Sequence, residues 1–170
     1  MDRKNSILII DDSEVSIMAL KDILEPDYTV FTAKNGKIGM EEAEKQLPDI
    51  ILLDIIMPEI DGYTVLATLK KNEKTKGIPV MLISSLDDMR NEQKGFILGA
   101  ADYVSKPFSP TVVKHRVQNQ IDVVNLLYIK DQSNIKERLQ LRKELDEALQ
   151  REAELQKTVK DLQDKLSELS

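Results

Sequence analysis

Three aspartates, a serine and a lysine are placed to do chemistry in this sequence. Asp11 and Asp12 follow the apolar run "SILII" (6–10), Asp54 closes "DIILLD", Ser84 and Ser85 close "VMLISS", and Lys106 follows "DYVS". Side-by-side carboxylates at the mouth of an apolar element resist ionisation unless something positive sits between them. The chain has no cysteine and one histidine, His115, far in sequence from these acids. An oxygen-only set suits a hard cation, and Mg²⁺ fits because it keeps waters and accepts one or two carboxylates plus a phosphate oxygen. Such an ion would make Asp11 and Asp12 tolerable and leave Asp54 free to attack a phosphoryl group. Lys106 would then draw charge from that group as an acyl phosphate forms, and the Ser84 hydroxyl would donate to a phosphoryl oxygen.

These residues are scattered over almost a hundred positions, so the fold must gather them. Short apolar runs recur at 6–10, 28–32, 49–53, 79–83 and 102–105. Runs such as "IILL" do not alternate with polar residues, which implies strands buried on both faces and a parallel sheet covered by helices. Segments of helical spacing lie between them: Val15, Met18, Ala19 and Leu20 to Ile23 and Leu24, then Val65, Leu66 and Leu69. Asn35-Gly36, Pro48-Asp49 and Gly77-Ile78-Pro79 punctuate the boundaries. A doubly wound α/β sandwich of five βα units follows, and the carboxyl edge of such a sheet is where ligands bind. All five site residues belong to that edge.

Taken together, "IIDDS", "LLDIIMPEIDG", "VMLISS" and "GAADYVSKPF" resemble the response-regulator receiver domain, the phosphoacceptor module of two-component signalling, over about residues 4 to 127. The resemblance implies a flavodoxin-like sheet of order 2-1-3-4-5 and Asp54 as the phosphorylation site. It implies Mg²⁺ bound directly by Asp12, Asp54 and the backbone carbonyl of Ile56, with Asp11 assisting through water. Ser84 becomes the switch hydroxyl, Tyr103 the aromatic that changes rotamer with it, and Lys106 the phosphate-contacting lysine before a cis bond to Pro107. A partner histidine kinase supplies the phosphoryl group. Ser84 stands where threonine is more usual. Ile56 and Leu86, each two residues past a site residue, are apolar where relatives often carry polar groups, and slow self-dephosphorylation is expected because neither could orient an attacking water.

Composition narrows the setting. With 30 acidic and 24 basic side chains and a net charge of −6, a nucleic-acid partner is not expected for this chain. No signal-peptide pattern opens the sequence and the apolar runs are too short to span a bilayer, so a cytoplasmic protein without membrane partners is expected. The domain division expected is a receiver over 1–128 and a helix over 129–170. From Lys130 onward there is no Gly, Pro or aromatic residue and roughly half of the side chains are charged. Leu141, Leu145, Ala148, Leu155, Val159, Leu162, Leu166 and Leu169 fall on one four-three ladder with Glu152 as the polar rung, the seam of a two-stranded coiled coil and so of a homodimer. Ser109 and Pro110 open a helix that meets no breaker, ~90 Å long at ~1.5 Å per residue if continuous. Traced back, the seam reaches Val124 and Leu127 but places Asp131, Asn134 and Arg138 on inner rungs, while a second frame runs through Ile121, Tyr128, Ile135 and Leu139. Two registers compete there, a natural place for a signal to pass.

The function expected is a receiver phosphorylated on Asp54 that passes its state through the dimeric coil to an output domain or partner. Receivers with such an extension often precede diguanylate cyclase or phosphodiesterase modules, and no output catalytic motif is present here, so the chain is not expected to be an enzyme beyond its own phosphoryl chemistry. The alternative is a phosphorylation-independent scaffold that presents the coil, against which Asp12, Asp54 and Lys106 argue. A phosphohydrolase would want a second acid two residues beyond Asp54, where Ile56 stands. Asp102 and Arg116 are an expected exposed ion pair, and His115 an expected solvated helix position.

Overall fold

The computed structural model describes residues 4–85 and 92–168. The elements alternate: β1 (Ser6–Ile10), α1 (Glu14–Leu24), β2 (Thr29–Ala33), α2 (Gly36–Gln46), β3 (Ile50–Asp54), α3 (Gly62–Lys71), β4 (Val80–Ser85), α4 (Glu92–Ile97), β5 (Asp102–Lys106) and α5 (Pro110–Glu168). The five strands form one parallel sheet in the order β2-β1-β3-β4-β5. This is the flavodoxin-like arrangement that the motifs implied.

Unbroken apolar strands are what a sheet covered on both faces requires. Leu8, Ile10, Ile51, Leu53, Val80 and Leu82 point into one core, and Ile7, Ile9, Ile50, Leu52, Met81 and Ile83 into the other. Side chains alternate across a strand, so each run fills both layers at once. Helix starts follow the sequence: Ser13, Asn35 and Asp61 are N-caps whose side chains accept from the amides of Ser16, Ile38 and Thr64. Helix α2 ends on Leu47 in the left-handed region (φ 46°), just before Pro48, which cannot continue it.

The structure corrects several expectations. Strand β2 runs one residue beyond its expected end, whereas β3 and β4 end on Asp54 and Ser85 as expected, and Lys106 is the last residue of β5 rather than its follower. Asp11 and Asp12 lie just past β1. In α1 the buried stripe is Ile17, Leu20 and Leu24; Val15 and Met18, which belong to the apolar spacing that marked the helix, are 78% and 64% exposed.

The chain divides into two compact units, one up to Val124 and one from Asn125. In the first, α5 packs through Val113, Val117 and Ile121. Ile121 is 2% exposed and belongs to the receiver core, so it is not available as the first rung of the second coil frame. In the second unit, Asn125 to Glu168 is helical and every residue is exposed. Leu86 and Leu169 lie outside the described residues. Among the described residues no helix is long and apolar enough to cross a membrane.

Candidate functional site

The site is built at the carboxyl edge of the three central positions of the sheet. Ile9 pairs with Leu52 and Ile10 with Leu53, and the same register carried one step further sets Asp11 opposite Asp54. Two carboxylates on neighbouring strands, 0% and 6% exposed, then face each other with little water to screen them. Lys106 comes from the edge strand β5, where it pairs with Ser85 of β4. Its ammonium reaches past the end of β4 to lie 3.1 Å from Asp11 Oδ2 and 3.2 Å from Asp54 Oδ2.

Each carboxylate is held by its other oxygen. Asp11 Oδ1 accepts from the Ser13 amide at 2.8 Å, and Asp54 Oδ1 from the Ile56 amide at 3.3 Å. Asp11 Oδ2 is buried and accepts no hydrogen bond of good geometry, with Lys106 as its charged neighbour. Burial, and then the charge of Asp11, push the Asp54 carboxyl up to about 6 against the pull of Lys106. For Lys106, burial pulls the ammonium down, but its close approach to the Asp11 carboxylate and the charge of Asp54 outweigh this and raise it above its usual value.

Asp12 is exposed, yet one carboxylate oxygen from each of Asp11, Asp12 and Asp54 can be chosen so that all three lie within 4.8 Å of one another. Three hard oxygen donors, one of them buried without a hydrogen bond, fit a divalent cation of the Mg²⁺ type. The Ile56 side chain is 64% exposed, directed away from the core beside this cluster's third member.

The remaining expected site residues lie on β4 and β5. Ser84 is 4% exposed, one residue past Ile83, which pairs with Asp54 across β3 and β4. Tyr103 is 8% exposed, pairs with Leu82, and meets the Phe96 ring edge-on with centroids 5.0 Å apart. The Lys106-Pro107 peptide bond is cis. Arg116 Nη1 lies 2.6 Å from Asp102 Oδ1 in an exposed pair, and His115 is exposed on α5.

The sequence reading assigned no role to Gly62. A Cβ there would stand 2.2 Å from the Asp54 carbonyl oxygen and 2.7 Å from Ile55 Cα, and the Gly62 amide donates to the Ile55 carbonyl at 2.8 Å. The start of α3 therefore rests directly on the backbone that presents Asp54. The glycine of "EIDG" was the available signal, but only packing shows what it must clear.

Fold and hollow together describe an α/β domain of flavodoxin-like order with a carboxylate site at the edge of its sheet. The family model of the response regulator receiver domain matches residues 7–118, and the chain belongs to that family. Receiver domains bind Mg²⁺ in an acidic pocket and are phosphorylated by histidine kinases. A protein of Vibrio cholerae serotype O1 named "Probable cyclic di-GMP phosphodiesterase" is 40% identical over 116 residues, 68% of this chain and 26% of that one. The response regulator PleD of Caulobacter vibrioides is 40% identical over 114 residues, 66% of this chain and 25% of its own. Among solved structures, chemotaxis protein CheY4 of Vibrio cholerae matches with a TM-score of 0.65 at 24% identity, over 69% of this chain and 98% of its own, a likeness of fold. The chain spans about a quarter of the length of the two relatives.

Proposed function

We propose that this chain is a phosphorylation-controlled receiver in which Asp54 accepts a phosphoryl group from a histidine kinase, and that its state passes through a dimeric helix to an output unit. One observation carries the reading: a single ammonium, Lys106, lies within 3.2 Å of the carboxylates of both Asp11 and Asp54. That geometry keeps a buried nucleophile beside a cation that can neutralise a developing phosphoryl charge.

Asp11, Asp12, Asp54 and the Ile56 carbonyl are the groups that would hold Mg²⁺. Bound there, the ion supplies positive charge for the oxygens of the transferred group. In the transfer, the phosphorus–nitrogen bond to the kinase imidazole breaks as a bond from an Asp54 carboxylate oxygen to phosphorus forms, and the imidazole leaves with the bonding pair. Lys106 pairs with a phosphoryl oxygen, and the Ser84 hydroxyl donates to another. Ser84 and Tyr103 act as the switch. The apolar, exposed Ile56 cannot orient a water for attack on the acyl phosphate, which supports slow self-dephosphorylation.

The exposed Leu141, Leu145, Leu155, Val159, Leu162 and Leu166 support a coiled-coil homodimer, with the receiver over 1–128 and the coil over 129–170. The Vibrio cholerae relative, by its name, supports an output in cyclic di-GMP signalling. Intact-mass measurement after incubation with Mg²⁺ and acetyl phosphate tests the reading, with sedimentation of the same sample. A labile gain of about 80 Da that is absent from Asp54→Ala is expected. No adduct from acetyl phosphate or a kinase, or an equal adduct on the alanine variant, overturns it.

A further inference from the structure

Tyr103 lies on an edge strand and yet is 8% exposed, so something must make room for its ring and hydroxyl. The space comes from α4. A Cβ on Gly95 would stand 2.0 Å from Tyr103 Oη, 2.9 Å from Tyr103 Cζ and 2.6 Å from Leu82 Cδ1. We infer that Gly95 is the positioning residue of the switch: its missing side chain is the receptacle that lets Tyr103 lie inward, and the size of residue 95 sets how often it does so.

A side chain at position 95 forces one of two neighbours to move. Leu82 is 0% exposed in a central part of the core and has nowhere to go. Tyr103 borders solvent along β5, can swing outward about its χ1, and presents the closer atom. Its hydroxyl end is also the far end of a side chain, which yields more cheaply than backbone. Alanine at 95 therefore expels the tyrosine before it expels the leucine.

The location gives this a consequence. Leu82 and Tyr103 are paired on neighbouring strands, and Ser84 is two residues beyond Leu82 on the same face of the sheet. Phe96, next to Gly95, packs edge-on against the Tyr103 ring, and Lys94 lies over the Tyr63 ring at 4.5 Å from its centroid. Three successive residues of α4 thus read aromatic positions on β5 and α3. If Ser84 and Tyr103 form the switch, as proposed above, Gly95 biases it toward the inward state without touching the phosphorylation site.

The test is nitration of the full-length chain by tetranitromethane, with each tyrosine followed by peptide mass spectrometry, in wild type and Gly95→Ala. Tyr128, 63% exposed, is the accessible standard, and Tyr63, 8% exposed, reports whether α4 itself has moved. Tyr103 is expected to react about tenfold faster in the variant, with Tyr63 and Tyr128 unchanged. An unchanged Tyr103 rate in a folded variant overturns the inference. Tyr63 accelerating along with Tyr103 in a folded variant also overturns it, and if the variant does not fold, the double variant Gly95→Ala/Tyr103→Ala decides. Recovery of a cooperative thermal transition supports the inference, and continued unfolding overturns it. Asp54 phosphorylation by acetyl phosphate is measured on the same samples; its failure in wild type removes the phosphoacceptor reading and leaves the nitration result standing on its own.

Discussion

The two units treat their apolar and charged groups in opposite ways. Up to Val124, the isoleucine, leucine and valine side chains of β1, β3 and β4 are enclosed on both faces of the sheet and two carboxylates are buried along with them. From Asn125 to Glu168 every residue is exposed, including Leu155 at 66% and Leu166 at 68%. The first unit satisfies its own hydrophobic surface and stores electrostatic tension at one edge. The second leaves an apolar ladder that its own helix cannot cover, and a lone polar helix draws little stability from propensity. The proposed chemistry and the proposed association thus rest on separate units, and variants can strike one without the other.

The strongest blow to the first unit alone is Lys106→Met, which removes the cation beside Asp11 and Asp54. Phosphorylation by acetyl phosphate is expected to slow about a hundredfold or more, read from the mass-shift time course, while sedimentation stays unchanged. Gly62→Ala drives a Cβ into the backbone of Asp54 and Ile55, both unable to yield, and is expected to cost about 2–4 kcal/mol in urea unfolding followed by circular dichroism. The reciprocal blow is Leu155→Asp. Placing a charge on the ladder is expected to weaken self-association about a hundredfold by sedimentation equilibrium and to leave phosphorylation intact; equal dissociation constants would end the coil's part in the comparison.

A milder probe uses pH. Burial raises Asp54 from 3.8 to about 6, so between those values the folded state keeps a proton that the unfolded state releases. Stability of the metal-free protein is expected to fall as pH rises through that window, by about 1–3 kcal/mol, and to stay lower above it. Asp54→Asn should flatten the profile, as unfolding free energies from pH 4 to pH 7 will record. The smallest expected effect belongs to Arg116→Ala. Its exposed pair with Asp102 should contribute under about 1 kcal/mol, within the scatter of a melting experiment.

The sheet was legible because uninterrupted apolar runs of strand length leave few alternatives to a doubly covered parallel sheet. The site was legible because Asp11, Asp54, Ser84 and Lys106 all follow or end such runs, and topology brings strand ends together. Helix faces were harder. Val15 and Met18 satisfy helical spacing as well as Ile17, Leu20 and Leu24 do, and only packing on the sheet selects the second set. Ile121 was assigned to a coil frame by periodicity, although α5 continues its stripe from Val113 and Val117 into the core. Gly62 and Gly95 were silent for a related reason. A glycine's close contacts lie across the chain, in Asp54 and Tyr103, and no local pattern encodes them.

Asp11 has a second task besides facing Asp54. Its Oδ1 fixes the Ser13 amide, and Ser13 in turn caps the opening turn of α1 through the Ser16 amide. Electrical events in the hollow are consequently wired to a piece of secondary structure that makes no phosphoryl contact. A redistribution of charge on that aspartate is expected to change the hydrogen bond at the Ser13 amide and with it the cap of α1, so the amide protons of Ser13 and Ser16 are the place to look for a built-in voltmeter of the site.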